Sequence, residues 1–447
     1  MATRHEKKRF PIVTALIETF GFSPGLASVV ALFLAFICLL AVIWIIRSAP
    51  PSTIVITSGP EGSSFQRWAA AYQQQLATHG IKLEVRPSGG AFDNLQRLES
   101  AETHVDIGFV PSGLAKEENR QGLVSLGSIA YQPLWVFYRS PAPIGRLSEL
   151  SGKRLAIGAA GSGTRELALT LLQANGVTGA PTVFSDLDAD AAAAGLLDGK
   201  LDAVFLMGDS APTQTLRTLI HAPDIQLFNF TQADAYVRRY SYLNKMELPE
   251  GSIDLGKNLP AQDVTLIGPT VELVARKELN SALSDLLIEV AQDVHGKSSL
   301  LQRRGEFPAP IEHEIALSDD AVRYYKSGKG FLYKTLNSFW LASLLNRILV
   351  AIVPMALVMI PAIRLVPVAY KWGIQMRIYR SYRPLLRAER DASGPMDQAH
   401  VQELLRHLDE IEQQVNHLKV PASFAGQFYD LRSHIDFVRA RLKNARP

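Results

Sequence analysis

The chain has 447 residues, a net charge of +3 and a single cysteine, Cys38. That length points to two or three folding units; a hydrophobic share of 47% with 20% charged residues excludes wholesale disorder. The near-neutral balance argues against nucleic acid as the main partner, and one cysteine excludes an internal disulfide and a cysteine-based metal site.

The chain begins with the basic MATRHEKKR and then runs without a charge from Gly21 to Ile46, where Arg47 closes the stretch. About 20 apolar residues span a hydrocarbon core of ~30 Å. VIWIIRSAPP, at the end of the run, is a poor small-residue cleavage site, so the sequence favours an uncleaved anchor over a cleaved signal. Residues 25–47 are expected as the spanning helix, residues 1–24 as a cytoplasmic arm, and Ser48 onward outside, by the positive-inside rule.

From Thr53, β-rich runs alternate with helical segments. TIVIT reads as a strand and SSFQRWAAAYQQQLATHG as a helix closed by Gly80. KLEVRP, a helix over FDNLQRLES, and the strand VDIGFVPSG follow. LVSLGSIAYQPLWVFYR holds further strands. A second strand–helix–strand–helix–strand series runs from Lys153 to Gly208, through KRLAIGAAG, GSGTRELALTLLQANG and LDAVFLMGD. VTLIGPTVELVAR is a later strand region and SALSDLLIEVAQDVHG a helix. Such alternation implies βαβ units and a mainly parallel sheet. Two equivalent series imply two lobes, lobe 1 over about 48–138 and 263–338, lobe 2 over about 139–262. Ligands of open α/β sheets bind beyond the carboxyl ends of the strands, here in a cleft that hinges shut.

A second apolar run, sixteen uncharged residues between Arg347 and Arg364, is bracketed by Trp340, Tyr370 and Trp372. The flanking arginines extend its reach by snorkelling, and the cluster Lys371, Arg377, Arg380, Arg383, Arg387 and Arg390 marks a cytoplasmic side. Residues 339–370 are therefore expected to hold an interfacial segment and a second spanning helix, with a buried or re-entrant hairpin as the competing reading. Two crossings return the chain to the side it left. In the remaining 371–447, Val401, Leu404, Leu408, Ile411, Val415 and Leu418 form one a/d stripe. Phe424, Phe428, Leu431, Ile435, Val438 and Leu442 form another beyond Pro421. These predict an α-helical hairpin that caps the membrane helix or self-associates.

Each strand end carries small polar residues: SGPEGSSF, RPSGGAFDN, PSG, GAAGSGTRE, GDS and GPT. Glycines admit a ligand close to the backbone, and helix N-termini offer free N–H groups to a small anion. Arg86 and Arg165 are placed to add bidentate contacts. Any one of these loops is an ordinary βα turn; the functional reading rests on six recurring at equivalent places. GSGTRE lacks the Lys-Ser/Thr pair of a phosphate loop, and Ser162 has neither a G-x-S-x-G setting nor a histidine base. His104, His295 and His313 are expected to be solvated or locally bonded, and no metal-binding spacing occurs.

ITSGPEGSSFQRWAAAYQQQL, VRPSGGAFDNLQRLESAETHVDIGFVPSG and LSGKRLAIGAAGSGTRELA resemble the TAXI family, solute receptors associated with TRAP transporters, over about residues 50–340. The segment from IALSDDAVRYY to the YRSYRPLLRAE tail is similar to a subgroup anchored at its C-terminus. The resemblance implies an α/β fold: a two-lobed type II periplasmic-binding-protein-like domain between two transmembrane helices, with a C-terminal cytoplasmic α-helical hairpin. It implies a periplasmic domain on a bacterial inner membrane, both termini cytoplasmic. It also implies capture of a small organic acid or amino-acid-like solute for a TRAP-type permease, without a cofactor.

Carried over by position, Ser58, Ser63, Ser64 and Phe65 line one wall, and Ser88, Gly89, Gly90 and Asn94 the next. Ser162, Gly163 and Thr164 face them from the second lobe. Gly59, Arg165 and Gly208 join them from the strand-end loops. Phe65 stands where the family often has a hydroxyl-bearing aromatic. Against the receptor stand a ligand sensor that signals through the hairpin, and an enzyme, for which no acid–base pair can be named.

Overall fold

The computed structural model describes residues 11–20, 22, 24–116, 121–336, 338–391, 398–417 and 424–444. They form two compact units, Met1–Ser48 with Leu344–Pro447, and Ala49–Ser343. The helices are α1 (Pro11–Phe20), α2 (Pro24–Arg47), α3 (Ser64–Thr78), α4 (Ala91–Glu99), α5 (Gly163–Ala174), α6 (Ala189–Leu197), α7 (Thr213–Ile220), α8 (Ala233–Arg239), α9 (Ser281–His295), α10 (Asp319–Ser327), α11 (Phe331–Thr335), α12 (Phe339–Asp391), α13 (Gln398–Asn416) and α14 (Ala425–Asn444). The strands are β1 (Thr53–Thr57), β2 (Lys82–Arg86), β3 (Ile107–Pro111), β4 (Leu123–Tyr131), β5 (Trp135–Tyr138), β6 (Arg154–Ala156), β7 (Val183–Ser185), β8 (Ala203–Leu206), β9 (Gln226–Leu227), β10 (Leu243–Leu248) and β11 (Val264–Arg276).

Unit Ala49–Ser343 contains two sheets of one plan. The first runs β2-β1-β3-β11 with β10 and β4 also on β11; the second runs β7-β6-β8-β5-β9. In each, three parallel strands in order 2-1-3 are followed by an antiparallel strand, β11 or β5. The sheets are thus evenly mixed and not mainly parallel as the alternation suggested. Their antiparallel members are the strands at the two lobe crossovers, which a count of βα units does not register.

Lobe 1 packs Ile54, Ile56, Phe65, Tyr72, Phe109 and Leu273 with Leu283 and Leu287 of α9. Lobe 2 packs Leu155, Leu171, Phe205, Phe228 and Phe230 on one face, and Val204 with Ala192, Leu196 and Leu219 on the other. Helix starts and stops follow the sequence. Ser63 and Ser162 Oγ accept from the N–H groups of Gln66 and Arg165, both at 3.2 Å, capping α3 and α5. Gly80 (φ 73) and Gly176 (φ 77) take the left-handed conformation that ends those helices.

The crossover is a pair of strands side by side. Gln132 N–H donates to Pro269 O at 2.8 Å and Leu134 N–H to Ile267 O at 2.9 Å. A Cβ on Gly268 would lie 2.0 Å from Gln132 O, so only glycine permits this approach. The chain therefore changes lobe at 132–134, and β5 belongs to the second sheet. The return occurs inside β11, not near Asp263, because Ile267 still packs in the lobe 2 core. Architecturally this is the two-lobed, type II periplasmic-binding-protein-like α/β fold implied by the resemblance.

Two helical stretches, Pro24–Arg47 and Phe339–Pro361, are long and apolar enough to cross a membrane. Arg347 Nη1 donates to Ile45 O at 2.5 Å, and the rings of Phe22 and Tyr370 meet edge-to-face at 5.2 Å. Contacts at opposite ends make α2 and α12 an antiparallel pair. Pro354 and Pro361 do not end α12, which runs on to Asp391. On its last turns Ile374, Ile378, Leu385 and Ala388 bury the stripes of α13 (Leu404, Leu408, Ile411, Val415) and α14 (Leu431, Ile435, Val438, Leu442) in a three-helix cluster. Leu418 of the expected stripe lies outside the described residues.

Candidate functional site

The strand ends of the two lobes meet along a seam, and the residues that sequence reasoning selected divide into those that build its walls and those that touch across it. On the lobe 1 side, Asn94 is fully buried. Its Oδ1 accepts from Thr57 Oγ1 (2.6 Å) and Ser88 Oγ (2.7 Å), and its Nδ2 donates to Ser58 O (2.7 Å) and Phe109 O (3.0 Å). An amide offers two donors and two acceptor sites, so this one is fully committed to tying β1, β3 and the β2–α4 loop together. Ser58 and Ser88 belong to the same network. Phe65 lies in the lobe 1 core, its ring 5.4 Å from that of Phe109. Ser63 and Ser162 serve as helix caps. Gly59 has no room for a Cβ, which would sit 2.6 Å from Ser63 Oγ and 2.7 Å from Asp209 O.

Across the seam lobe 1 reaches lobe 2 through backbone N–H donors. Ser64 N–H donates to Gly208 O at 2.8 Å, Asp93 N–H to Gly161 O at 3.0 Å, and Ala91 N–H to Asp209 Oδ2 at 3.3 Å. All three donors are first-turn amides of α3 and α4, the groups a helix leaves without an internal partner. The surfaces fit because they are glycine. A Cβ on Gly90 would sit 3.0 Å from Asp209 Oδ2 and 3.1 Å from Ser162 Cα, one on Gly163 3.0 Å from Ala91 Cβ, and one on Gly208 2.8 Å from Ser64 Oγ. Gly89 lies within 3.4 Å of Ala160 O by the same construction, and its N–H donates to Asp93 Oδ2 at 2.9 Å.

Asp209, just past β8, is the residue the sequence reading missed. It is fully buried and its carboxylate is held between two helix N-termini. Oδ2 accepts from Gly163 N–H at 2.6 Å as well as from Ala91; Oδ1 accepts from Thr164 Oγ1 and Ser210 Oγ, both at 3.0 Å. Burial pushes its carboxyl up, and these four donors hold it down in part. In its satisfied orientation the Gln132 side chain adds acceptance from Gly208 N–H at 2.9 Å, tying this loop to the crossover. The one available signal was an acid in GDS directly after the fully apolar β8, where an acidic side chain is enclosed.

The two arginines expected to meet a ligand are engaged elsewhere. Arg86 Nη1 donates to Thr103 O, and Arg165 pairs with Asp186. His295 is buried and not solvated: its ring meets Trp68 edge-on at 4.9 Å, Nε2 has no partner among the described residues, and burial drives its pKa down to about 3. His313 Nε2 lies 2.8 Å from Thr270 Oγ1. That contact borders a second polar cluster on β11, where Glu272 is 2% exposed and its Oε2 is unpartnered among the described residues. Burial raises the Glu272 carboxyl to about 8, against the Ser125 hydroxyl and with the help of the Glu314 charge. No group of three or more metal-ligating side chains occurs among the described residues.

A family model described as the NMT1-like family matches residues 66–293. Among solved structures, the chain is similar to an ancestral arginine-binding protein bound to arginine, with 15% identity over 56% of this chain and 95% of that one and a TM-score of 0.36. It is similar to the alkanesulfonate-binding protein SsuA from Xanthomonas axonopodis pv. citri bound to MOPS, with 14% identity, 55% and 74% coverage and a TM-score of 0.34. The periplasmic aliphatic sulphonate binding protein SsuA from Escherichia coli gives 16% identity, 55% and 73% coverage and a TM-score of 0.34.

Proposed function

The chain belongs to the NMT1-like family, and on that premise we propose that it is a membrane-tethered extracytoplasmic solute receptor of the TAXI type. It captures a small organic anion between its lobes for a TRAP-type permease encoded elsewhere. The observation that carries this reading is the convergence of the α4 and α5 N-termini, from opposite lobes, on one buried carboxylate: Ala91 and Gly163 N–H groups both point at Asp209 Oδ2. Two helix N-termini aimed at one point are built for a negative group. The tether is α2 and α12, each with a stretch long and apolar enough to span a bilayer.

The test is a thermal-shift screen of the full chain in detergent against organic acids, amino acids and sulfonates. Ligand at ~100 times its Kd adds about 2.7 kcal/mol, a shift of a few degrees. A hit that weakens in Thr164→Ala supports the reading; no hit across a broad set of small anions sinks it.

One observation favours a second reading, a ligand sensor. Helix α12 runs unbroken from Phe339 through the candidate span to Asp391. A continuous helix is the simplest element through which lobe closure reaches the tail. Deleting residues 396–447 discriminates: delivery of solute survives it, signalling does not.

A further inference from the structure

The groups that should greet a ligand are already bonded, and to the chain itself. Lobe 1 presents the first-turn amides of α3 and α4, and lobe 2 fills them with Gly208 O, Gly161 O and the Asp209 carboxylate. These acceptors give the Ser64, Ala91 and Asp93 N–H groups partners from the opposite lobe. The carboxylate is also seated as a ligand would be, with four donors, two of them helix N-terminal amides, in a fully buried position.

We propose that Asp209 is a built-in counter-ligand: its side chain takes the place of a solute's negative group and latches the two lobes together. The inference rests on the receptor reading for the word solute, and on geometry alone for the latch. A buried carboxylate with four donors is stable where a bare one is not. Removing it leaves Ala91 and Gly163 N–H groups facing each other across the seam with no acceptor between them, which favours opening to water. A solute then binds by displacing Asp209 and inheriting its donors, so affinity is set by the difference between two anions at one place. This explains the glycines at 90, 163 and 208. They bring the lobes into contact with each other, closer than a wall shaped around a solute requires.

The experiment reads lobe separation without any solute. In the full chain with Cys38→Ser, spin labels go on Glu61→Cys and Gln214→Cys, exposed positions on opposite lobes. They lie near one place on the seam, since a Cβ on Gly62 would be 3.3 Å from Pro212 Cβ. With Asp209 intact a single short distance is expected. In Asp209→Ala the distribution moves to longer distances, and formate, which fits the vacated carboxylate position, returns it to the short one. A distance unchanged in Asp209→Ala overturns the latch, and so does an open distribution with Asp209 present.

Should Asp209→Ala fail to fold, hydrogen exchange on the unsubstituted chain decides. Slow exchange at Ser64, Ala91 and Asp93 amides in the absence of solute supports the latch; fast exchange at all three overturns it. A failed solute screen leaves each of these outcomes standing, and a successful screen does not rescue the latch if they fail.

Discussion

Asn94, on α4, and Glu272, on β11, show how differently two buried polar residues behave in one lobe. Asn94 has every donor and acceptor used, so Asn94→Ala takes from Thr57 Oγ1, Ser88 Oγ and the Ser58 and Phe109 carbonyls one hydrogen-bond partner each in a dry interior. A loss of about 3 kcal/mol is expected, read as a lower melting temperature of the solute domain in the full chain. Glu272 has one oxygen without a partner among the described residues and a carboxyl raised from 4.5 to about 8. Because the folded form holds the proton more tightly than the unfolded one, its contribution is complete below pH 4.5 and is lost as pH rises toward 8.

His295 works in the opposite sense. Its pKa is depressed from 6.5 to about 3, so its contribution is complete above pH 6.5 and is lost as pH falls through that window. Glu272→Gln should flatten the decline in melting temperature between pH 5 and 8, and His295→Phe the decline between pH 6 and 4. An unchanged profile in Glu272→Gln would mean that the carboxyl ionises freely in the folded state.

At the scale of elements, the helices of the solute domain are placed by local rules and the tail helices by packing. Caps at Ser63 and Ser162 and left-handed glycines at 80 and 176 fix the bounds of α3 and α5. The glycine stops were legible because such endings depend on residues one to four apart, whereas Ser63 and Ser162, expected on the cleft walls, cap the two helices. The heptads of α13 and α14 were legible too, but not what covers them. An apolar stripe states that burial is needed and leaves the partner open. Here the partner is the far end of α12, where Leu385 is fully buried against the hairpin. Leu408→Ala at the centre of this cluster should cost about 2–4 kcal/mol. Limited proteolysis would then cut within 398–444 at a rate the unsubstituted chain does not show.

For the solute domain as a whole, the two lobes are one sheet plan used twice and joined by a paired crossover too tight for anything but Gly268. Closure needs glycine on the seam as well. Gly208→Val places a branched side chain where a Cβ alone would stand 2.8 Å from Ser64 Oγ. It should hold the lobes apart with Asp209 still present, raising amide exchange at Ser64 without lowering protection in the lobe 1 core around Phe109. Loss of both would mean unfolding and not opening.

By itself the sequence determined the two-lobed α/β architecture, the two apolar stretches and the amphipathic tail. Each of these is written in short-range periodicity, caps and turn residues. Only the tertiary structure decided the mixed strand directions, the crossover inside β11, the diversion of Arg86 and Arg165 to their own partners, and the burial of Asp209 among four donors. Those depend on which groups meet in space, at separations from 17 residues of chain for Arg86 and Thr103 to 118 for Ala91 and Asp209. A carboxylate after a strand reads the same in a sequence whether it faces water or two helix N-termini.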